Sequence, residues 1–455
     1  MSDPSSSGMQ ARPSFSRLIG GRDFRLLWAG EAVSVVGDQF ALIALPWLVV
    51  TLTGSSVAVG AVLAAAAFPR AILMLVGGAV TDRSSPRAVM LASNLARLVL
   101  TAVFAVVVIG GRVELWMVYT FALSFGIADA FFYPAQTAIV PRIVKGDDLS
   151  LGNSVVQGTA QASLFIGPAL AGAVIAVFAG DQAAAGYDLT GIGVAFAIDA
   201  ATFLVSVATL ALLRVQLSAE SAAQKAQSLW RSIRHGLSFV WHDPALRAIF
   251  ALLLAVNLLI VGPFTVGIPL LAEDRLQGAA AFGIIMSAQG GGSLAGIVLA
   301  GVLPPPPRLF GTVLGLLCIA MGVVFGLISV APTLLTVTAL SAAMGLLNGY
   351  IALLFITWLQ RHTVRSLQGR MMSLLMLASI GMVPVSQLLA GFLIRLSFGA
   401  VIAVAGAGMA VLSLLTLSLP SVRALGLRTE LLGQELESAG PPGAATDVVA
   451  DGASD

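Results

Sequence analysis

The sequence predicts an all-α integral membrane protein, with twelve transmembrane helices in two six-helix bundles. Three observations predict it. Of 455 residues, 58% are apolar and only 10% are charged, against about a quarter charged in a soluble domain. The apolar residues fall in runs of about twenty, the length a helix needs to cross the hydrocarbon core. The runs lack period-two alternation, so they are helices and not strands of a barrel. A soluble or disordered chain of this size is excluded, because there is too little polar surface to cover it.

Residues 1–23 are a Ser/Pro-rich tail with several arginines and no apolar core of signal-peptide length. Six spans follow at 24–51, 57–80, 88–110, 115–140, 152–179 and 188–213. Six more lie at 246–272, 280–302, 309–330, 333–359, 369–395 and 399–419. The longest interior connection, 214–245, divides the chain into bundles over 24–213 and 246–419. Within it, Leu229, Ile233, Leu237 and Val240 share one helical stripe, with Arg231, Arg234 and His235 elsewhere. This reads as an amphipathic helix on the inner membrane surface. Residues 420–455 form a second tail, largely disordered.

The halves carry weak repeats. Arg25 precedes Pro46 by 21 residues in span one, and Arg247 precedes Pro269 by 22 in span seven. Asn153 precedes Pro168 by 15 in span five, and Arg370 precedes Pro384 by 14 in span eleven. With a six-plus-six count, such matches favour a repeated transporter fold. Placing the N-terminus in the cytoplasm puts nineteen of the 24 Lys and Arg residues in cytoplasmic segments and three in outer ones. That split predicts both termini inside, in a multi-pass protein of the cell membrane.

The short connection between spans two and three reads Gly78-Ala79-Val80-Thr81-Asp82-Arg83-Ser84-Ser85-Pro86-Arg87. It resembles the signature loop of the major facilitator superfamily, G-x-L-x-D-R-x-G-R-R. Gly78, Asp82, Arg83 and Arg87 match; Ser85 and Pro86 depart from it. The resemblance implies that Asp82 packs against the start of span eleven, here Gly369-Arg370, and closes the cytoplasmic side. A carboxylate there would meet free N–H groups and the positive end of the helix dipole, and Arg370 could pair with it. In span five, Gly167, Pro168 and Gly172 resemble the G-P-x-x-G-G antiporter motif, with Ala171 in place of one glycine. Segments around Phe24, Gly37-Asp38 and Phe132-Tyr133-Pro134-Ala135 resemble the macrolide and drug efflux branch. The resemblance spans nearly the whole chain to about residue 420. It implies a major facilitator fold and export by proton antiport. The span-four arginine of many proton-linked drug antiporters has no counterpart near Gly126.

An ionisable side chain at mid-bilayer costs roughly 2.5–3.5 kcal/mol on insertion scales, so each needs a reason. Glu31, Asp38, Arg70, Arg97, Asp129 and Asp199 lie within the first six spans, while the last six hold no mid-span charge. At about 1.5 Å per residue, Asp38 and Arg70 reach depths of roughly 20 and 18 Å from the same surface. They are expected to pair, as are Arg97 and Asp129. Asp38, Arg70, Arg97, Asp129 and Asp199 are the candidates for proton coupling. Asp199 has no evident partner, and Glu31 is expected to reach the inner interface. Trp47, Phe132, Tyr133, Asn257, Gln289, Asn348 and Tyr350 are candidates to line a mostly apolar cavity.

The sequence holds no Walker loop and no hydrolase or metalloprotease motif. An enzyme, a cofactor, a metal site and a nucleic-acid partner are not expected. Cys318 is the single cysteine, so no intrachain disulfide can form. The expected function is secondary active export of a hydrophobic or amphipathic small molecule against protons, by alternating access, in a functional monomer surrounded by lipid. Export of an endogenous metabolite, siderophore or lysolipid is an alternative. A non-transporting receptor or scaffold is the alternative from another class.

Overall fold

The computed structural model describes residues 15–144, 146, 148–179, 189–214, 241, 243–276, 278–362, 375–376 and 378–423. Among these there is no strand. A short helix, α1 (Phe15–Gly20), leads into α2 (Arg22–Thr53), α3 (Ser56–Arg83), α4 (Pro86–Ile109), α5 (Leu115–Ile143), α6 (Asp148–Val177) and α7 (Thr190–Leu212). Then come α8 (Pro244–Ala255), a π-helical turn (Val256–Val261) and α9 (Gly262–Arg275), which together make one span. The rest are α10 (Ala279–Val302), α11 (Phe310–Leu327), α12 (Leu334–His362), α13 (Val383–Ile394), α14 (Phe398–Ser418) and α15 (Pro420–Arg423). Eleven described helices are long and apolar enough to cross a membrane, and a shorter apolar one runs over Ala378–Ile394. These correspond to the expected spans within a few residues, and the shorter helix is the described part of span eleven. Arg370, most of the 214–245 connection and the 424–455 tail lie outside the described residues.

Local chemistry sets the helix ends. Gly54 ends α2 in the left-handed conformation (φ 57°), and its N–H donates to the Val50 carbonyl at 2.7 Å. Ser55, Ser85 and Ser397 each accept a backbone N–H from the first turn of α3, α4 and α14. Pro86 opens α4, where its missing N–H costs nothing. Arg87 reaches the far end of α7: its Nε donates to the Leu210 carbonyl at 2.8 Å and its Nη2 to Ala211 at 2.6 Å. A cation thus satisfies the last carbonyls of a helix.

The two halves repeat one packing scheme. In the first, α2 packs on α6 and α7, α3 on α5, and α4 on α5 and α7. In the second, the α8–α9 span packs on α13 and α14, α10 on α12, and α11 on α12 and α14. Each pairing has its counterpart six spans later, which is the repeat that the proline spacings hinted at. The two main contacts between halves are counterparts as well: α3 with α13, and α6 with α10.

Both contacts lie toward the end of the molecule that carries Gly54. Ser56 donates its hydroxyl to the Gly391 carbonyl at 2.8 Å. Gly172 of α6 approaches α10 so closely that a Cβ would stand 2.6 Å from the Ala279 carbonyl and 3.0 Å from the Gly283 Cα. Small residues permit this approach, which in lipid is driven by packing and not by the hydrophobic effect. Trp47 stacks on Phe282 across the same boundary, with ring centroids 6.4 Å apart. The molecule is therefore closed at its Gly54 end. Asp82, at the opposite end, is exposed.

Gly60→Ala is expected to loosen the Gly54 end. A Cβ at Gly60 would stand 2.4 Å from the Gln387 carbonyl and 3.0 Å from the Gly391 Cα, so α3 and α13 must move apart. A cysteine at Ala279, 5% exposed at the other contact between halves, should then react faster with a maleimide than in the parent, with Cys318 replaced by alanine; an unchanged rate would show that this approach does not hold the end shut. Arg87→Ala should cost roughly 1–2 kcal/mol, because two carbonyls at the end of α7 lose a charged donor. Thermal unfolding in detergent reads that loss, and Arg87→Lys should restore only part of it.

Candidate functional site

Every charged side chain buried within the described spans lies in the first half. Asp129 of α5 is the centre. One of its oxygens is 2.7 Å from Arg70 Nη2 of α3, and the other is 3.1 Å from Arg97 Nη1 of α4. The same Arg97 nitrogen is 3.7 Å from Asp38 Oδ1 of α2. Arg97 also donates to the side chain of Asn94, which in turn donates to Ser206 Oγ of α7 at 2.8 Å. Its guanidinium lies over Phe132 at 3.9 Å and Phe203 at 4.8 Å from the ring centroids. Five helices thus converge on the Arg97–Asp129 pair, whose arginine is 1% exposed. Aromatic faces and hydrogen bonds supply what water cannot reach.

The pairing differs from the expectation in one respect. Arg97 and Asp129 do meet, but the partner of Asp38 is Arg97, whereas Arg70 pairs with Asp129. Depth along the helices is similar for Asp38 and Arg70; the rotation of α2 and α3 decides which faces meet. Asp199 of α7 is wholly buried, and neither carboxylate oxygen has a hydrogen-bond partner among the described residues. It sits against Gly37, beside Asp38 in the chain. Glu31 does not reach an interface: it is 3% exposed and accepts a bond from Gln136 Nε2 at 2.7 Å.

Three carboxylates, Asp38, Asp129 and Asp199, therefore face two guanidinium groups, Arg70 and Arg97. With all five ionised the cluster carries one uncompensated negative charge in a medium that penalises it. Asp38 and Arg70 keep side-chain exposures of 28% and 33%, so they are the least buried members.

The other candidates are dispersed. Gly78 has open space where a Cβ would stand; Gly77, one residue earlier, is the one packed against the Ala130 carbonyl of α5. Arg83 is exposed, and Arg87 is bound to the end of α7 as described. The contact expected between Asp82 and Gly369-Arg370 lies outside the described residues. Gly167 packs on Gln39 of α2, whereas Pro168 and Gly172 face Gly283 of α10. Phe132 is 3% exposed beneath Arg97, and Trp47 is 7% exposed in the closed end, so neither lines an open space. Tyr350 donates its hydroxyl to the Leu303 carbonyl at 2.6 Å, which ties α12 to the end of α10. Asn257 is buried and donates to the Leu253 carbonyl of its own helix at 2.9 Å. Gln289 and Asn348 are half-buried on α10 and α12, and Tyr133 is 39% exposed.

Sequence reasoning missed Asn94, Phe203 and Ser206. One signal could have found two of them: Asn94 stands one turn before Arg97, and Ser206 two turns beyond Asp199 on a span otherwise almost wholly apolar.

The family model of the Major Facilitator Superfamily matches residues 27–383. The multidrug efflux pump Tap of Mycolicibacterium fortuitum is 26% identical over 362 residues, covering 78% of this chain and 85% of the relative. Its namesake in Mycobacterium tuberculosis is 24% identical over 377 residues, covering 82% and 86%. Macrolide efflux protein A of Streptococcus pyogenes is 23% identical over 257 residues, covering 56% and 60%. Among solved structures, a mutant form of the nucleoside transporter NupG superposes with a TM-score of 0.70 at 14% identity, covering 87% of this chain and 99% of that one. A bacterial homolog of the lysosomal transporter Spinster, inward-facing and unoccupied, gives 0.60 at 12% identity, covering 90% and 97%. With a family model matched over most of its length and a fold shared with its transporters, the chain belongs to the Major Facilitator Superfamily, a class of membrane transporters and not of enzymes.

Proposed function

We propose that the protein exports a hydrophobic or amphipathic small molecule across the cytoplasmic membrane in exchange for protons. Relatives named as drug and macrolide efflux pumps support export. The charge split of the connecting segments supports cytoplasmic termini. In that orientation the Gly54 end is external, and the conformation described is closed outside.

The observation that carries the proton reading is the surplus carboxylate. A cluster of three aspartates and two arginines is neutral only when it holds one more positive charge, and a proton fits where both oxygens of Asp199 lack a partner. Asp38 is the least buried of the three carboxylates, and it adjoins Asp199 through Gly37. Asp129 is different: Arg70 and Arg97 each engage one of its oxygens, so it fixes the geometry. Asp38 then passes the proton, Asp199 stores it, and the movement of α2 against α4 between states makes and breaks the Asp38–Arg97 contact. The amphipathic linker and the Asp82 gate are proposed for the inner side.

Asp199→Asn is expected to reach the membrane at the parental level, since the amide is neutral and close in size to the protonated carboxyl it replaces. It should bind substrate yet lose accumulation driven by a pH gradient in proteoliposomes. Full gradient-driven transport by this variant would overturn the assignment. Asp129→Asn should behave otherwise: it takes from Arg70 its carboxylate and leaves the buried Arg97 with only the longer contact to Asp38, a cost of about 3–5 kcal/mol, and folded protein should fall sharply in a detergent stability assay. For orientation, cysteines at Thr53 and Arg112 should react with an impermeant thiol reagent outside intact cells, and one at Ser84 should not. The reverse pattern would invert the proposed direction.

A further inference from the structure

The cluster leaves one buried carboxylate unused. Glu31 lies nine residues into α2, about 14 Å from its start, and Asp38 about 10 Å further on. Because α2 ends at Gly54, Glu31 sits between the aspartate cluster and the end that carries Asp82. Ser34 stands between the two acids, and its hydroxyl is buried with no partner among the described residues. Glu31, Ser34 and Asp38 recur at i, i+3 and i+7, which is one stripe of a helix.

Glu31 has no counter-ion of its own. None of the ion pairs among the described residues includes it. Arg97 of α4 is the cation whose field reaches it, and that guanidinium is already engaged by Asp129 and Asp38. The other charges of the surrounding helices are placed elsewhere. Arg70 of α3 is held by Asp129, and Arg25 and Arg142 are exposed. The only charge on α6 is Asp148, beside Arg17, and the only one on α7 is Asp199. Leu27, one turn before Glu31, and Phe132, Ala135 and Ile139 of α5 belong to one buried apolar cluster.

The hydrogen bonding fits a neutral acid. Glu31 Oε2 accepts from Gln136 Nε2 of α5 at 2.7 Å, while Oε1 is buried with no partner among the described residues. Ionised, the group is a lone negative charge in an apolar setting; protonated, it leaves one hydroxyl unmatched, which costs far less. The O–H then sits on Oε1, and Oε2 remains free to accept the amide. Gln136 is half-buried. A polar side chain inside a span faces the bundle interior or water rather than lipid, so Gln136 covers Glu31 from the wet side.

We propose that Glu31 is a second proton-binding site, separate from the aspartate cluster and nearer the Asp82 end, with Gln136 as the residue that positions its carboxyl. As a proton of the transport cycle it rests on the antiport reading above; as a site that takes up and gives up a proton it stands by itself. In the proposed orientation, a proton that leaves Asp38 for the cytoplasm meets Ser34 and then Glu31 before the inner end of α2.

The test needs neither substrate nor gradient. Infrared spectra of the full chain in nanodiscs are recorded as the pH is raised from about 5 to about 9, the range that spans ordinary working conditions. A protonated carboxyl shows a C=O band that its carboxylate lacks. Glu31→Gln, a neutral near-isostere, should lose one such band at the acid end, and in the parent that band should fade as the pH rises. Gln136→Leu removes the donor to Oε2 and should shift the same band, which assigns it even if Glu31→Gln fails to fold. Asp199→Asn should leave the Glu31 band in place whatever becomes of its own, so failure of the aspartate-cluster reading shows separately. Two results would overturn the proposal. One is a parent with no Glu31 band at the acid end, which makes the group a permanent carboxylate. The other is a Glu31 band unchanged across the whole range, which makes it a fixed neutral part of the packing.

Discussion

A carboxylate gripped by two guanidinium groups is the interaction on which the first half depends. Asp129 ties α3 to α4 through Arg70 and Arg97, and Arg97 extends the tie to α2 through Asp38. In water such pairs contribute little. In a buried site the balance changes, because a broken pair leaves a charge with nowhere to go. The cluster does not add stability over an apolar core; it fixes the mutual rotation of five helices, since each must present one particular face to the Arg97–Asp129 pair. The surplus carboxylate of Asp199 then becomes a consequence of geometry: the arginines are already engaged, and among the described residues no donor reaches it.

The two halves share a packing scheme but divide the labour. Among the described residues, the first half holds the buried charges. The second holds glycines, prolines and isolated amides, and its main irregularity is the π turn of the α8–α9 span. Contacts between halves use glycine on both sides, Gly60 with Gly391 and Gly172 with Gly283. Such contacts gain only dispersion and a few hydrogen bonds. Close backbone approach at these glycines is what shuts the Gly54 end.

The antiporter-like motif takes a physical meaning in this setting. Pro168 and Gly172 sit where α6 meets α10, so their small size serves the closed end directly. Gly167 packs on Gln39 instead and keeps α6 against α2. Arg87, read as part of a gating loop, is tied to the end of α7. A charge in a connecting segment can thus also finish a helix, and a motif match alone does not separate the two roles.

The order of the apolar spans, their limits to within a few residues, and the confinement of buried charge to the first half were all legible in the amino-acid order. These follow from one-dimensional facts: run length against bilayer thickness, and the cost of charge in lipid. The depth of each charge is equally one-dimensional, because a helix rises by a fixed amount per residue. Which charges meet is settled in three dimensions. Depth is one coordinate, whereas rotation about each helix axis depends on all neighbours at once, so Asp38 faces Arg97 although Arg70 lies at a similar depth. Phe132 left the cavity for the same reason: spacing says that it lies on a face, and packing turned that face toward Arg97. The bond from Gln136 to Glu31 was beyond any local reading, since it joins residues 105 apart in the chain.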